Sequence, residues 1–376
     1  MTRRHHSLLY ALLLSAPASL AAAQTAAPPP PPPPPPPAAQ VAATKGALVS
    51  NDKISRLEDK PQGWSFNLKL AANLSVISNK DVVGQLDGNG VLVGANILTG
   101  AGYLHGKHEW LNMAALSGAF SKSPDIRFVK AGDLLDVQTI YNYFINPYTG
   151  PFVRAQLQSS ILKTERVTSG PVEYIDKNDP RLTDDDPDND PQPDNPTDAV
   201  PPDDAIIRSS HLRLADAFQP LTISESVGWF AQPIHAERLN VFGRAGFGGR
   251  HTFANGARAI DDNKNTPLTE FVVLNDVHQA GIELFAGIDG KEVDGKILYA
   301  LGATALFPLI NNDDANRSIA KLTRVQLQAA VGVGIVSWMS INYMLRVVRD
   351  IQLVDAIQVT NSLLLSFQYS TQYPTP

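Results

Sequence analysis

A strict alternation of apolar and polar residues over long stretches is the feature that most constrains this chain. From Arg324 to Ile335 the odd positions are apolar, while the even positions are polar or small. The same alternation resumes from Met339 to Val347. A period of two is that of a β-strand whose two faces meet different surroundings. The sequence therefore predicts two long antiparallel strands joined by a tight turn at Ser337.

The same pattern recurs along the chain and predicts twelve strands in all. An even number suits a closed antiparallel barrel whose two ends lie on one side, with short and long connections in alternation. Residues 206–217 are left in a loop, because a further strand there would break that alternation. The predicted strands are residues 64–76, 91–104, 109–120, 129–144, 152–162, 221–231, 239–253, 277–288, 296–307, 324–336, 339–348 and 357–369.

The composition of the two strand faces decides what kind of barrel this is. One face is apolar and carries aromatic residues near strand ends, such as Trp64, Trp229 and Tyr343, while the other carries Gly, Ala, Ser, Asn, Gln and an occasional Arg. A soluble barrel would expose Lys and Glu, yet charged residues make up 18% of the chain, below the roughly 25% usual for soluble domains. We therefore expect an all-β fold, a single antiparallel transmembrane β-barrel in a bacterial outer membrane. A soluble sandwich with two packed apolar faces is the alternative.

The first 62 residues carry the signals of export and of a spacer. Arg3 and Arg4 precede an apolar run that ends in small residues, so residues 1–23 are predicted to be a secretory signal peptide. Residues 24–62 include an unbroken proline run, which predicts a stiff periplasmic linker in a disordered N-terminal segment. The barrel is expected at residues 63–370, followed by a C-terminal tail at residues 371–376. Without cysteine, the chain has neither disulfides nor a Cys-linked lipid anchor.

A long acidic extracellular loop is predicted at residues 163–219. Carboxylate oxygens at close spacing suit Ca²⁺, whereas aspartate interleaved with proline is also typical of a disordered, solvated loop. No cofactor is expected apart from Ca²⁺ at this loop, if the loop is ordered. The candidate cation-binding residues are Asp184, Asp185, Asp186, Asp188 and Asp190.

The polar strand face predicts what lines the lumen. Rings of charged side chains can set ion selectivity in a pore, or they can cross-link a narrow, mostly filled lumen. Glu225 breaks the pattern, because its parity places a carboxylate on the apolar face. A bulge near Pro220, or a position at the membrane rim, would resolve this conflict. The lumen-lining candidates are Arg154, Gln156, Arg244, Glu283, Arg324, Gln326 and Arg346.

The chain carries no convincing catalytic motif. His105, His108 and Glu109 fall on a predicted turn with a spacing that matches metal motifs weakly, and no Gly-x-Ser-x-Gly elbow occurs. A net charge of −6 does not indicate a basic surface for binding nucleic acid.

The leading prediction is a non-enzymatic barrel, either structural or a narrow channel for small solutes. The alternatives are an outer-membrane hydrolase with its site at the outer rim and a surface binding module that uses the acidic loop. The expected partners are outer-membrane lipid and the barrel-assembly machinery, and the oligomeric state stays open.

Several segments resemble a bacterial family known only as a domain of unknown function. Gly106, Lys107, Trp110 and Asn112 match that family's kGK-x-W-x-N turn. Lys130 with Asp133, the run GPFVRAQL at residues 150–157 and the Pro-containing strand FQPLTISESVGWFAQPI at residues 218–234 also look like it. Because its members resemble outer-membrane barrels of unassigned activity, the resemblance implies a fold and a location and no catalytic residue. Phe367 and Tyr369 fit the aromatic close of such a barrel, ahead of the trailing tail.

Overall fold

The computed structural model describes residues 62–80, 88–123, 126–179, 205–236, 238–262, 268–292, 296–313, 315–336 and 339–374. The predicted signal peptide, almost all of the predicted linker, and the five candidate aspartates of the acidic loop lie outside these ranges. No helix in the described ranges is long and apolar enough to cross a membrane.

Strands dominate the described part of the chain, with one short helix, α1 (Ile319–Leu322). The alternating segments become strands because each can bury one face and pair its backbone on both sides. In chain order the strands are β1 (Gly63–Lys80), β2 (Gly88–His105), β3 (His108–Ser123), β4 (Ile126–Tyr143), β5 (Thr149–Ser159), β6 (Thr164–Asp176), β7 (Ile207–Ala215), β8 (Leu221–His235), β9 (Asn240–Phe253), β10 (Arg258–Ile260), β11 (Thr269–Val273), β12 (Val277–Glu292), β13 (Ile297–Asn311), β14 (Arg324–Val336), β15 (Met339–Asp350) and β16 (Val354–Pro374).

Twelve of these strands close into an antiparallel barrel in the order β1-β16-β15-β14-β13-β12-β9-β8-β5-β4-β3-β2. The predicted single antiparallel barrel of about twelve strands is therefore confirmed, with every predicted strand in place. Closure runs from the pair Ser65↔Pro374 to the pair Lys80↔Val359, which leaves the sheet without a free edge. Residues 371–374, predicted to be a tail, instead extend β16, because the first residues of β1 need backbone partners.

The barrel has two distinct ends. At one end, which we call the turn end, β2–β3, β4–β5, β8–β9 and β12–β13 are joined by short connections, and β1 begins and β16 ends there. At the other end, which we call the loop end, the two long connections 160–220 and 254–276 leave and return. The predicted short connections are thus found at the turn end. The loop end carries the long connections together with short ones, such as residues 351–353 between β15 and β16.

The two long connections build a second sheet at the loop end, in the order β10-β11-β6-β7, which we call the cap sheet. Its core is formed by Tyr174, Leu212, Leu214 and Phe271, all buried. The prediction that residues 206–217 form no barrel strand is confirmed, but the description of this stretch as a loop is wrong, since β7 pairs with β6. Periodicity could not reveal this sheet, because β6 also pairs with β11 in parallel across almost a hundred residues of sequence, Thr269↔Tyr174.

Lys130 and Asp133 fix the chain where it leaves the barrel for the cap sheet. Their side chains form an ion pair of 2.6 Å. Asp133 accepts hydrogen bonds from the backbone N–H groups of Ile161 and Leu162 at 2.7 and 2.6 Å. Lys130 donates to the carbonyls of Leu162 and Lys163. The pair therefore supplies hydrogen-bond partners for the backbone N–H and C=O groups of the turn that precedes β6.

The outer surface of the barrel is apolar. Outward side chains such as Leu284, Leu327 and Phe247 are each more than two-fifths exposed, at 43%, 44% and 48%. Their sequence neighbours Glu283 and Gln326 point the other way, as the period of two requires. Other exposed apolar residues of the barrel strands include Trp64, Phe66, Leu70, Leu74, Val93, Ile97, Leu116, Phe120, Val137, Val153, Val227, Ile282, Leu301, Val331, Val333, Ile341, Leu363 and Phe367.

A pair of glycines brings β8 and β9 close together. Gly228 lies directly opposite Gly246. A Cβ atom added at Gly246 would lie 2.2 Å from the carbonyl oxygen of Val227 and 2.7 Å from the Cα of Gly228. Because these neighbours are backbone atoms of a paired strand, they cannot move without disturbing the ladder.

We expect Gly246→Ala to lower the free energy of unfolding by about 1–3 kcal/mol, the usual cost of overpacking a well-packed site. The matched control is Gly118→Ala in β3, where an added Cβ meets nothing within 4 Å. Denaturant midpoints, read from folded and unfolded bands on unboiled gels, measure the difference. Equal midpoints for the two variants would show that the close approach of β8 and β9 does not matter.

Candidate functional site in the barrel interior

Ion pairs cross the lumen of the barrel. Arg250 on β9 lies 2.7 Å from the Asp350 carboxylate on β15, although three strands separate β9 from β15 in the wall. Arg154 on β5 lies 3.9 Å from Glu283 on β12, with two strands between them. Side chains on strands that are not neighbours can meet in this way only through the interior. The polar strand faces therefore point inward.

The seven predicted lumen-lining residues all have the inward parity of their strands. Hydrogen bonds or ion pairs inside the barrel involve Arg154, Gln156, Glu283, Arg324, Gln326 and Arg346. Gln326 accepts hydrogen bonds from Arg324 at 2.8 Å and from Arg346 at 3.4 Å. Arg154 donates to Gln156, whose amide donates in turn to Asp136 at 2.9 Å. The remaining member of the set, Arg244, lies on the same face of β9 as Arg250.

Three further members of the network were missed by sequence reasoning, namely Asp136, Arg250 and Asp350. Each has the inward parity of its strand, and that parity was the signal that could have identified them. Asp350 has a second cationic partner besides Arg250, since Arg324 also approaches it, at 3.4 Å. A carboxylate with a side-chain exposure of only 2% needs such cationic partners.

A cluster of phenylalanines fills part of the lumen near the turn end. Phe144, Phe152, Phe230, Phe242 and Phe285 are all buried and in mutual contact. The guanidinium of Arg244 lies 4.6 Å from the ring centroid of Phe285 and 5.8 Å from that of Phe152, within the range of cation–π contact. Sequence periodicity assigned mainly polar and small residues to the inner face, so it did not predict these inward aromatic rings. Aromatic rings occupy interior volume that smaller polar side chains would leave empty.

A chamber of about 200 Å³ lies between the loop end of the lumen and the cap sheet. Barrel residues such as Thr222 and Gln358 form its floor, while Thr164, Ala257 and Leu274 approach it from the cap-sheet side. Its charged lining consists of four arginines and two aspartates, which gives an excess of positive charge. These residues are Arg250, Arg258, Arg324, Arg346, Asp133 and Asp350.

The connections of the loop end are also tied to one another. Arg317 donates to the carbonyl of Ile351 at 3.0 Å and pairs with Asp313. The hydrogen bond from Arg317 holds the pKa of Asp313 below its ordinary value. Gln352 donates to Asn312 and accepts from Gln279, each at 2.8 Å. The β13–β14 and β15–β16 connections are therefore fastened together beside the chamber.

Glu225 lies on the outer face of β8, half exposed, with its carboxylate 3.0 Å from Nε2 of His251. The expectation of a bulge near Pro220 is wrong, because the β8–β9 register is regular from Leu221 through Ala231. The alternative expectation, a position near the rim, agrees with its place four residues from the start of β8. In the described residues the polar partners of His251 are Glu225 and His278. A serine hydroxyl, which a hydrolase of the Ser-His-acid type would need beside the histidine, is not among these partners.

The turn that carries the family resemblance hydrogen-bonds to neighbouring segments at the turn end. Gly106 adopts a positive φ of 57° and donates its N–H to Gln62, and Lys107 donates to the carbonyl of Ile145 at 3.0 Å. Trp110 donates to the Thr139 hydroxyl, which donates to Asn112. All four motif residues therefore have structural contacts.

His108 and Glu109 do not converge on a common point. His108 lies outside, with Nδ1 2.6 Å from the Tyr141 hydroxyl, whereas Glu109 is buried and accepts from Asn142. No group of three or more His, Asp or Glu side chains arranged to hold a metal occurs in the described ranges.

Comparison with known proteins gives only distant likeness. No protein-family model matches the chain, and no curated protein matches it, so the resemblance of the turn motif stays a prediction. Similar solved structures include the translocator domain of autotransporter NalP from Neisseria meningitidis, with 8% identity, 83% of this chain and 90% of that chain covered, and a TM-score of 0.36. The P. putida toluene transporter TodX has 9% identity, coverage of 88% and 94%, and a TM-score of 0.35. Likeness at this level carries no argument about function.

We expect Asp350→Asn to lower the free energy of unfolding by about 3 kcal/mol, because it leaves Arg250 and Arg324 buried without their carboxylate. Glu165→Gln removes one partner of an exposed pair, Lys163–Glu165, and should cost at most about 1 kcal/mol. Denaturant unfolding of refolded protein compares the two. A cost for Asp350→Asn no larger than that for Glu165→Gln would contradict a tightly paired lumen.

Proposed function

We propose that this barrel spans an outer membrane, with its apolar exterior in lipid. Closure supports the proposal, because in hydrocarbon every backbone N–H and C=O group must be paired within the protein. The exposed apolar belt supports it as well, since such a surface would be unfavourable in water. Aromatic residues gather on the exterior toward the turn end, where an interfacial girdle is expected. These are Trp64, Trp110, Tyr141, Trp229 and Tyr343.

We propose further that the barrel is a narrow channel for small solutes and that it favours anions. The chamber at the loop end carries this proposal, because four arginines against two aspartates give it a positive potential. Positively charged rings select anions in pores. The cross-lumen pairs Arg250–Asp350 and Arg154–Glu283 and the phenylalanine cluster narrow the path, which suits small solutes and excludes a wide aqueous pore.

A closed structural barrel is the second candidate. The observation that favours it is the same cross-lumen pairing, because side chains that bridge opposite walls also block the passage between them. The two candidates differ in whether ions cross a membrane that contains the protein.

Planar-bilayer recording of the purified full chain in a salt gradient tests the proposal. We expect small conductance steps and a reversal potential displaced toward the equilibrium potential of the anion. The double variant Arg324→Gln and Arg346→Gln removes two chamber charges and should cut the anion-to-cation permeability ratio several-fold. The matched control Arg238→Gln removes a charge from an exposed side chain at the turn end, outside the chamber, and should leave the ratio unchanged.

Other outcomes of the recording would reject the channel. Absence of any conductance from correctly inserted protein would favour the closed structural barrel. Steps of porin size, or an unchanged permeability ratio in the double variant, would contradict a narrow path controlled by the chamber arginines.

A further inference from the structure

Three polar side chains interrupt the apolar exterior near the loop end. Glu225, His251 and His278 lie on the adjacent strands β8, β9 and β12, and all three face outward. His251 and His278 are direct cross-strand partners. Glu225 is opposite Gly249, two residues before His251. We call this group the exterior trio. It lies outside the lumen network and takes no part in the proposed solute path.

The two imidazoles are spaced like two ligands of one metal ion. Nδ1 of His251 lies 3.2 Å from Nδ1 of His278. Two nitrogens bound to a tetrahedral zinc ion at roughly 2.0–2.1 Å are separated by about 3.3 Å. In the metal-free protein one Nδ1–H group spans this gap as a hydrogen bond. A metal ion can take the place of this hydrogen bond once the Nδ1 proton moves to Nε2 of the same ring. Both Nδ1 atoms then present lone pairs, and small ring rotations aim them at a common point.

Glu225 supplies the outer support that metal-bound histidine usually has. Its carboxylate lies 3.0 Å from Nε2 of His251, on the side of the ring opposite to Nδ1. A carboxylate on the far nitrogen fixes the Nε2–H tautomer and leaves the Nδ1 lone pair free to coordinate. Gly249 makes this arrangement possible, because a Cβ atom there would lie 2.2 Å from Oε1 of Glu225.

The backbone and one ring neighbour hold the second imidazole in place. The N–H of His278 donates to the Asn312 side chain at 2.8 Å. The ring of Phe253 packs edge-on against the His278 ring, with centroids 5.6 Å apart. His278 is thus held through both its backbone and its ring. Because the ring is already held in place, metal binding costs less side-chain conformational entropy than it would for a freely rotating histidine.

We propose that His251 and His278 chelate one divalent transition-metal ion on the outer wall of the barrel, with Glu225 as a positioning residue. The proposed ion is of the Zn²⁺ or Cu²⁺ class, which imidazole suits. The protein supplies two ligands and water completes the coordination shell, so the site binds reversibly. It remains open to the surroundings, since the His251 side chain is 39% exposed.

Zinc titration of the tag-free full chain in detergent micelles, followed by calorimetry, tests the proposal. We expect His251→Asn and His278→Asn each to abolish one equivalent of zinc binding. Glu225→Gln should weaken that equivalent by about 10–100-fold, the usual cost of losing such a support. The matched control His211→Asn changes an exposed histidine of the cap sheet and should bind like the unaltered protein. Unboiled gels establish that each variant is folded.

A spectroscopic readout separates coordination from a merely structural role of the histidines. Cu²⁺ bound to the unaltered protein should show coupling to two imidazole nitrogens in electron paramagnetic resonance, and each single histidine variant should lose it. If the unaltered protein takes up no zinc at millimolar concentration, the proposal is overturned. Equal zinc affinity in His251→Asn and the unaltered protein would overturn it too, whereas equal affinity in Glu225→Gln would remove the positioning role of Glu225.

Discussion

Backbone pairing between the first and last strands is the constraint on which the whole structure depends. Once β1 pairs with β16 along their length, the sheet has no edge, and each strand must give one face to a lumen and the other to the outside. The alternation in the sequence then has a single consequence. Apolar residues such as Leu327 cover the exterior, and their neighbours such as Gln326 turn inward.

Closure also creates an interior, which must be filled with packed side chains or lined with charged groups that pair with one another. The chain uses two solutions at different heights of the barrel. Near the turn end five phenylalanines pack together, with Arg244 over two of the rings. Toward the loop end, arginines and acids reach across the lumen, and the cap sheet encloses a chamber above them. On the outer face of the wall, the exterior trio places ionisable groups among apolar ones near the loop end.

Sequence periodicity was sufficient to predict the twelve strands, their order along the barrel and the inward direction of residues such as Arg154 and Gln326. It could not predict the cap sheet, because short strands that pair across long separations, as β6 and β11 do, leave no repeating pattern. It also could not reveal which inward residues meet across the lumen, as Arg250 and Asp350 do, since that depends on barrel shape. Glu225 was recognised as a misfit, yet its partner His251 emerges only from the register of β8 and β9.

The most direct test of the account concerns which face of a strand meets lipid. Because the chain lacks cysteine, spin labels can be placed singly at Leu327 and Gln326, adjacent residues of β14. In protein reconstituted into vesicles, the label at Leu327 should collide with lipid-soluble oxygen, and the label at Gln326 should not. The reverse pattern, with the Leu327 label protected from oxygen in a packed core and the Gln326 label open to a water-soluble relaxant in bulk solvent, would contradict the account.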